Sequence, residues 1–128
     1  MYLALLPDTD SLAALRHFAP ALPTDAHVTV IHSKAHSSAP LPISYWSHAL
    51  TLETGAIALF GGRNKVLVLK LSINAELQAI RTQTETILRD AGLVWSAEWL
   101  FSPHITIGSQ LAKMAPPATL RFDRMEWR

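Results

Sequence analysis

Cysteine is absent from the 128-residue sequence. Its absence excludes disulfides, thiolate metal sites and a cysteine nucleophile, and is compatible with a reducing compartment. Net charge is nearly absent as well: eleven Lys and Arg against ten Asp and Glu leave +1 with histidine neutral. That balance excludes a broad basic surface of the kind that grips long nucleic acid. A small or short phosphorylated substrate, held by a few groups, suits it better. No apolar run approaches the roughly 20 residues that span a bilayer. Residues 2–6 are too short, and lack the preceding basic region, for a signal-peptide core. A soluble, cytoplasmic protein is expected, with no membrane partner and no obligate protein partner evident. No linker, low-complexity tract or sequence-level repeat divides the chain, so one domain over 1–128 is expected, large enough for its own core.

Against these absences stand two short echoes. Residues 26–31 read Ala-His-Val-Thr-Val-Ile, and residues 103–108 read Pro-His-Ile-Thr-Ile-Gly. In a strand, successive side chains point to opposite faces. His27 and Thr29 therefore share one face, as do His104 and Thr106, while the aliphatic residues between them take the other. Two such strands side by side would gather two imidazoles and two hydroxyls around one small volume.

The rest of the chain supplies a frame for them. Residues 2–6 read as a buried strand ended by Pro7. Asp8, Asp10 and Ser11 are N-cap candidates for a helix carrying Leu12, Leu15 and Phe18, ended by Pro20 and Pro23. The first motif strand follows, about 27–32, and then a Ser/Pro-rich loop over 33–42. Residues 45–71 read as an antiparallel meander of three strands: 45–53, a Thr54-Gly55 turn, 56–60, a Gly61-Gly62-Arg63-Asn64 turn, and 65–71. Asn74 caps a helix through Ala91 with Gly92 as its stop. Its inward stripe is Leu77, Ile80, Thr84, Ile87, Leu88 and Ala91, and Arg81, Glu85 and Arg89 form a solvated face. A short strand over 95–101, the second motif strand at 104–107, a loop over 110–117 and a strand over 119–127 complete the order. Each motif strand thus follows a helix, in a rough internal duplication. The class is α+β.

Cleaving a phosphodiester with protein groups alone needs a base, an acid and donors for the charged phosphorus centre. Two imidazoles suit the first two tasks, because histidine titrates near neutral pH. Threonine hydroxyls suit the third, and Lys34 can add charge. Other candidates carry less. His32 and His36 are four apart but fall in a strand end and a loop without a third ligand, so no metal and no cofactor are expected. His17 and His48 read as surface residues. Trp46, Trp95, Trp99 and Phe101 could stack on bases, although packing is the commoner use of such side chains.

The pair His27-Val28-Thr29 and His104-Ile105-Thr106 resembles the signature of the two-histidine (2H) phosphoesterases, which include the 2′-5′ RNA ligase-like proteins and 2′,3′-cyclic phosphodiesterases. The run His27-Val28-Thr29-Val30-Ile31-His32-Ser33-Lys34 is similar to a compact phage branch that includes anti-CBASS nucleases acting on cyclic di- and trinucleotide immune signals. The resemblance implies a bilobal fold, with two antiparallel sheets forming a concave cleft and two main helices packed outside. It implies metal-independent catalysis by His27, Thr29, His104 and Thr106 on a cyclic oligonucleotide or short RNA, in the host cytoplasm if phage-encoded. It also offers Tyr2, Glu126 and Trp127 as substrate-binding residues. The rival expectations are an RNA-end enzyme opening 2′,3′-cyclic phosphates and a non-catalytic nucleotide- or RNA-binding domain.

Overall fold

Capping chemistry and alternation account for most of the elements. The computed structural model describes residues 1–33, 49–61, 65–95 and 101–128. In order they form β1 (Tyr2–Pro7), α1 (Thr9–Phe18), β2 (Val28–His32), β3 (Leu50–Phe60), β4 (Val66–Leu71), α2 (Ala75–Asp90), β5 (His104–Thr106) and β6 (Thr119–Trp127). Helix α1 starts where the Asp8 carboxylate accepts from the Ser11 amide at 2.8 Å, satisfying one donor that a helix start leaves open. Asn74 does the same for α2 through the Leu77 amide at 2.9 Å. Its side-chain amide also donates to the Thr51 carbonyl at 3.0 Å, so one residue caps the helix and ties it to β3. Gly92, at φ +70°, ends α2 in the left-handed conformation that favours glycine.

The fold is α+β, and every strand ladder is antiparallel. The pairings run β1-β2-β5-β4-β3-β6 and close on β1 as one ring. The core lies on one face of that ring. Leu3, Leu5, Val28, Leu69, Ile105 and Phe122 cluster there with Leu15 and Phe18 of α1 and Leu77 and Leu88 of α2. Burying each such side chain contributes about 1.5–3 kcal/mol. Both helices therefore serve this face and leave the other to different residues. Among the described residues no helix is long and apolar enough to cross a membrane.

Three expectations change. Thr54-Gly55 is not a turn, and β3 runs unbroken through it. The Thr54 hydroxyl donates to the Pro117 carbonyl and the Thr54 amide to that of Ala118. These bonds hold the chain extended where β3 changes partner, from β6 at Leu50 to Glu53 to β4 from Thr54 onward. The stripe of α2 is narrower than expected: Leu77, Ile80, Thr84 and Leu88 are buried, Ile87 is half-buried and Ala91 is exposed. Arg81 is not on a solvated face. Its side chain is only 13% exposed and pairs with Glu85 at 3.3 Å. Its guanidinium lies 4.4 Å from the Phe101 ring centroid and donates to the Val30 carbonyl at 2.7 Å. Trp95 makes an isolated bridge to Ser33, and Arg89 lies over its ring at 5.6 Å. Lys34, His36, Trp46, His48, Trp99 and the 62–64 part of the expected turn lie outside the described residues.

The segment after β5 is fitted closely against the one after α1. Gly108 has φ +85°, and a Cβ built there would meet the Ala21 carbonyl oxygen at 2.5 Å. Gly108→Ala is therefore expected to lower stability by about 1–3 kcal/mol, read as a fall in the urea midpoint. An unchanged midpoint would refute the close fit.

Candidate functional site

Strands β2 and β5 meet through the pair Val28 and Ile105. Both side chains are fully buried on the core face. Alternation then turns the residues on either side of each, His27 and Thr29, His104 and Thr106, to the opposite face. All four are half-buried and line one cleft of about 290 Å³, together with Pro23, Asp25 and Ala26. Strand β2 begins at Val28, so His27 stands one residue before it.

The two imidazoles are held by the same local device. Nδ1 of His27 lies 2.8 Å from the Asp25 carbonyl oxygen, and Nδ1 of His104 lies 2.7 Å from that of Ser102. A carbonyl oxygen can only accept, so in each ring Nδ1 carries the proton and donates. The neutral form of each ring then keeps a free lone pair on Nε2, the nitrogen left for chemistry.

An irregularity in β2 decides what surrounds His27. The β1–β2 register pairs Ala4 with Thr29 but Leu3 with Ile31, leaving Val30 as an extra residue. The shift brings Tyr2, Ala4, Thr29 and His32 to one side. Tyr2 stacks on His27 at 5.1 Å between centroids and on His32 at 6.2 Å. Glu126 pairs with Ala4 across β6 and so shares that face. Its carboxylate accepts from Nε of Arg128 at 2.6 Å, and this pairing raises the Arg128 pKa above its ordinary value. Trp127 lies on the other side. It pairs with Leu3 and packs against the core cluster. The structure thus brings Tyr2 and Glu126 to the face of the four motif residues and turns Trp127 away from it. Lys34 lies outside the described residues.

Residues that the sequence did not single out complete the other flank. Lys70 of β4 is the direct partner of His104. Phe60 of β3 meets the His104 ring edge-on at 4.6 Å, and the Lys70 ammonium lies 5.8 Å from the Phe60 centroid. Each imidazole thus has an aromatic neighbour, Tyr2 at His27 and Phe60 at His104. No sequence signal marks Phe60 or Lys70, because their place depends on the β3–β4–β5 register. Among the described residues no group of three His, Cys, Asp or Glu side chains converges as a metal-ligand set.

No family model matches the sequence, and no curated protein matches it.

The ring geometry has a direct check. In ¹⁵N spectra of the histidine rings at alkaline pH, His27 and His104 are both expected as Nδ1–H tautomers. An Nε2–H signature at either ring would refute the carbonyl bonds on which the assignment rests.

Proposed function

We propose that the chain is a metal-independent phosphodiesterase of the two-histidine kind that cleaves cyclic di- or trinucleotides. The observation that carries this reading is the convergence of His27, Thr29, His104 and Thr106 on one cleft. The cleft is small for a ligand site, which ordinarily measures about 300–1,000 Å³. It suits a single phosphodiester with its flanking riboses. The near-zero net charge and the resemblance of the motif strands to the phage branch of the 2H phosphoesterases support a small cyclic substrate. In this reading the ring of strands works as two curved lobes with the cleft between them, and the protein acts in the cytoplasm.

The step is a proton relay around phosphorus. Nε2 of one neutral imidazole takes the proton from the attacking oxygen, a ribose 2′-hydroxyl or water. The new P–O bond forms as the bond to the departing ribose oxygen breaks. The other ring, protonated at Nε2, gives its proton to that oxygen. Thr29 and Thr106 donate to the nonbridging oxygens as charge gathers there. With a 2′-hydroxyl as nucleophile the product is a 2′,3′-cyclic phosphate, and attack by water with the two rings in exchanged roles opens it and restores both.

The test is incubation with cyclic dinucleotides and with 2′,3′-cyclic-phosphate oligonucleotides, with EDTA present, and identification of products by mass spectrometry. Cyclic dinucleotides are expected to be cleaved at a rate EDTA does not change. His27→Ala and His104→Ala should each lower kcat by about 10²–10⁴-fold. Turnover of the 2′,3′-cyclic phosphates alone would move the assignment to RNA-end processing. Binding without turnover of either would make the domain a nucleotide binder.

A further inference from the structure

His27 and His104 share a device but not its anchorage. The carbonyl that holds His104 belongs to Ser102. The next carbonyl, that of Pro103, accepts from the Leu71 amide at 3.0 Å, so the β4 ladder fixes this segment. The carbonyl that holds His27 belongs to Asp25, in an exposed turn between α1 and β2. The amide of its neighbour Ala26 makes a local bond, to the Pro23 carbonyl at 3.2 Å. A longer reach fixes Asp25: Nη1 of Arg128 donates to the same carbonyl oxygen at 3.2 Å. The oxygen has two lone pairs and serves both donors.

The guanidinium is itself held. Nε donates to Glu126 at 2.6 Å, and the Arg128 side chain is 26% exposed. Arg128 exchanges both backbone hydrogen bonds with Tyr2, each at 2.8 Å, and Tyr2 stacks on the His27 ring. One residue therefore joins the carbonyl that orients His27 to the strand that carries its stacking partner. No guanidinium stands on the Ser102 carbonyl among the described residues.

We propose that Arg128, oriented by Glu126, is the positioning residue of His27. It fixes the Asp25 carbonyl and so keeps the His27 proton on Nδ1 and the free lone pair on Nε2 facing the cleft. This rests on His27 moving a proton in the reaction proposed above. Glu126 then acts through Arg128, rather than by touching the substrate.

The experiment pairs kinetics with a readout that needs no turnover. In Arg128→Ala, kcat on a cyclic dinucleotide is expected to fall about tenfold with KM changed less than about twofold, the pattern of a misplaced catalytic group. In ¹⁵N ring spectra of the same variant, His27 should acquire the Nε2–H tautomer while His104 keeps the Nδ1–H form. Arg128→Lys, which retains a cationic donor, should restore part of both. Should Arg128→Ala fail to fold, Glu126→Gln provides the same His27 change in smaller degree. A His27 tautomer unchanged in a folded Arg128→Ala, or in Glu126→Gln, would overturn the proposal, as would an equal change at both rings. If the unaltered protein turns over no phosphodiester, the proposed function falls, and the ring spectra alone decide whether Arg128 positions His27.

Discussion

Everything in the cleft depends on the seam between β2 and β5. It is the shortest contact in the ring, with the single pair Val28 and Ile105 at its centre. A ladder that short cannot hold its own register, because each hydrogen bond adds only about 0.5–1.5 kcal/mol net. Its neighbours hold it. Behind β2, Arg81 reaches from α2 to the Val30 carbonyl. Beside β5, the Ile107 amide donates to Leu67 of β4 at 3.0 Å. Gly108 then lets the chain lie against Ala21, in the segment that leads back to β2. Val28 and Ile105, fully buried in the common core, set the orientation of both strands. A slip of one residue in either strand would exchange its buried and cleft faces and separate the imidazoles.

Register irregularities do the remaining placement. The extra residue Val30 sets Tyr2 and His32 on the face of Thr29. The carbonyl of Val30 is also the one that accepts from Arg81, so the irregularity and this cation meet at one residue. A comparable shift between Leu6 and Pro7 in the β1–β6 pairing lets Phe122 face the core while Arg124 pairs with Leu6. In β3 a shift between Thr54 and Ile57 lies in the pairing with β4, next to the stretch Leu50 to Glu53 that pairs with β6. Each shift changes which residues share a face without changing the order of strands.

What was legible in the sequence follows from this. Local chemistry was readable: Asp8 and Asn74 as caps, Gly92 as a stop, the last strand over 119–127, and the shared face of His and Thr in each motif. Each depends on neighbours within a few positions. Nonlocal register was not readable. Thr54-Gly55 has turn composition, and only the carbonyls of Pro117 and Ala118, supplied from far along the chain, keep it extended. Arg81 sits at a helical spacing that fits a surface ion pair with Glu85. Its second partner, the Val30 carbonyl, is 51 residues away along the chain. Phe60, Lys70 and Arg128 reach the site only through cross-strand pairing, so composition alone could not place them.

The two halves of the candidate site share one feature and differ in another, and the proposed relay would use both. A relay between two imidazoles needs each ring able to serve as base or acid, because completing a two-step cleavage exchanges their roles. Identical carbonyl bonds to Nδ1 provide that equivalence by leaving Nε2 free on both. Yet in the proposed relay one ring must be neutral and the other charged at the start of each turnover. A symmetric site would offer no preference between the two arrangements. The surroundings break the symmetry: His27 has Tyr2 and the Glu126–Arg128 pair on its side, while His104 has Phe60 and the Lys70 ammonium on its own. The Arg128 charge is compensated by Glu126, whereas among the described residues no carboxylate lies within ion-pair distance of Lys70. The two imidazoles therefore differ in their charged surroundings: Arg128 paired with Glu126 on the His27 side, and Lys70 beside Phe60 on the His104 side. The backbone holds the two rings by the same bond, and the side chains around them differ: Tyr2 stacks on one and Phe60 meets the other edge-on.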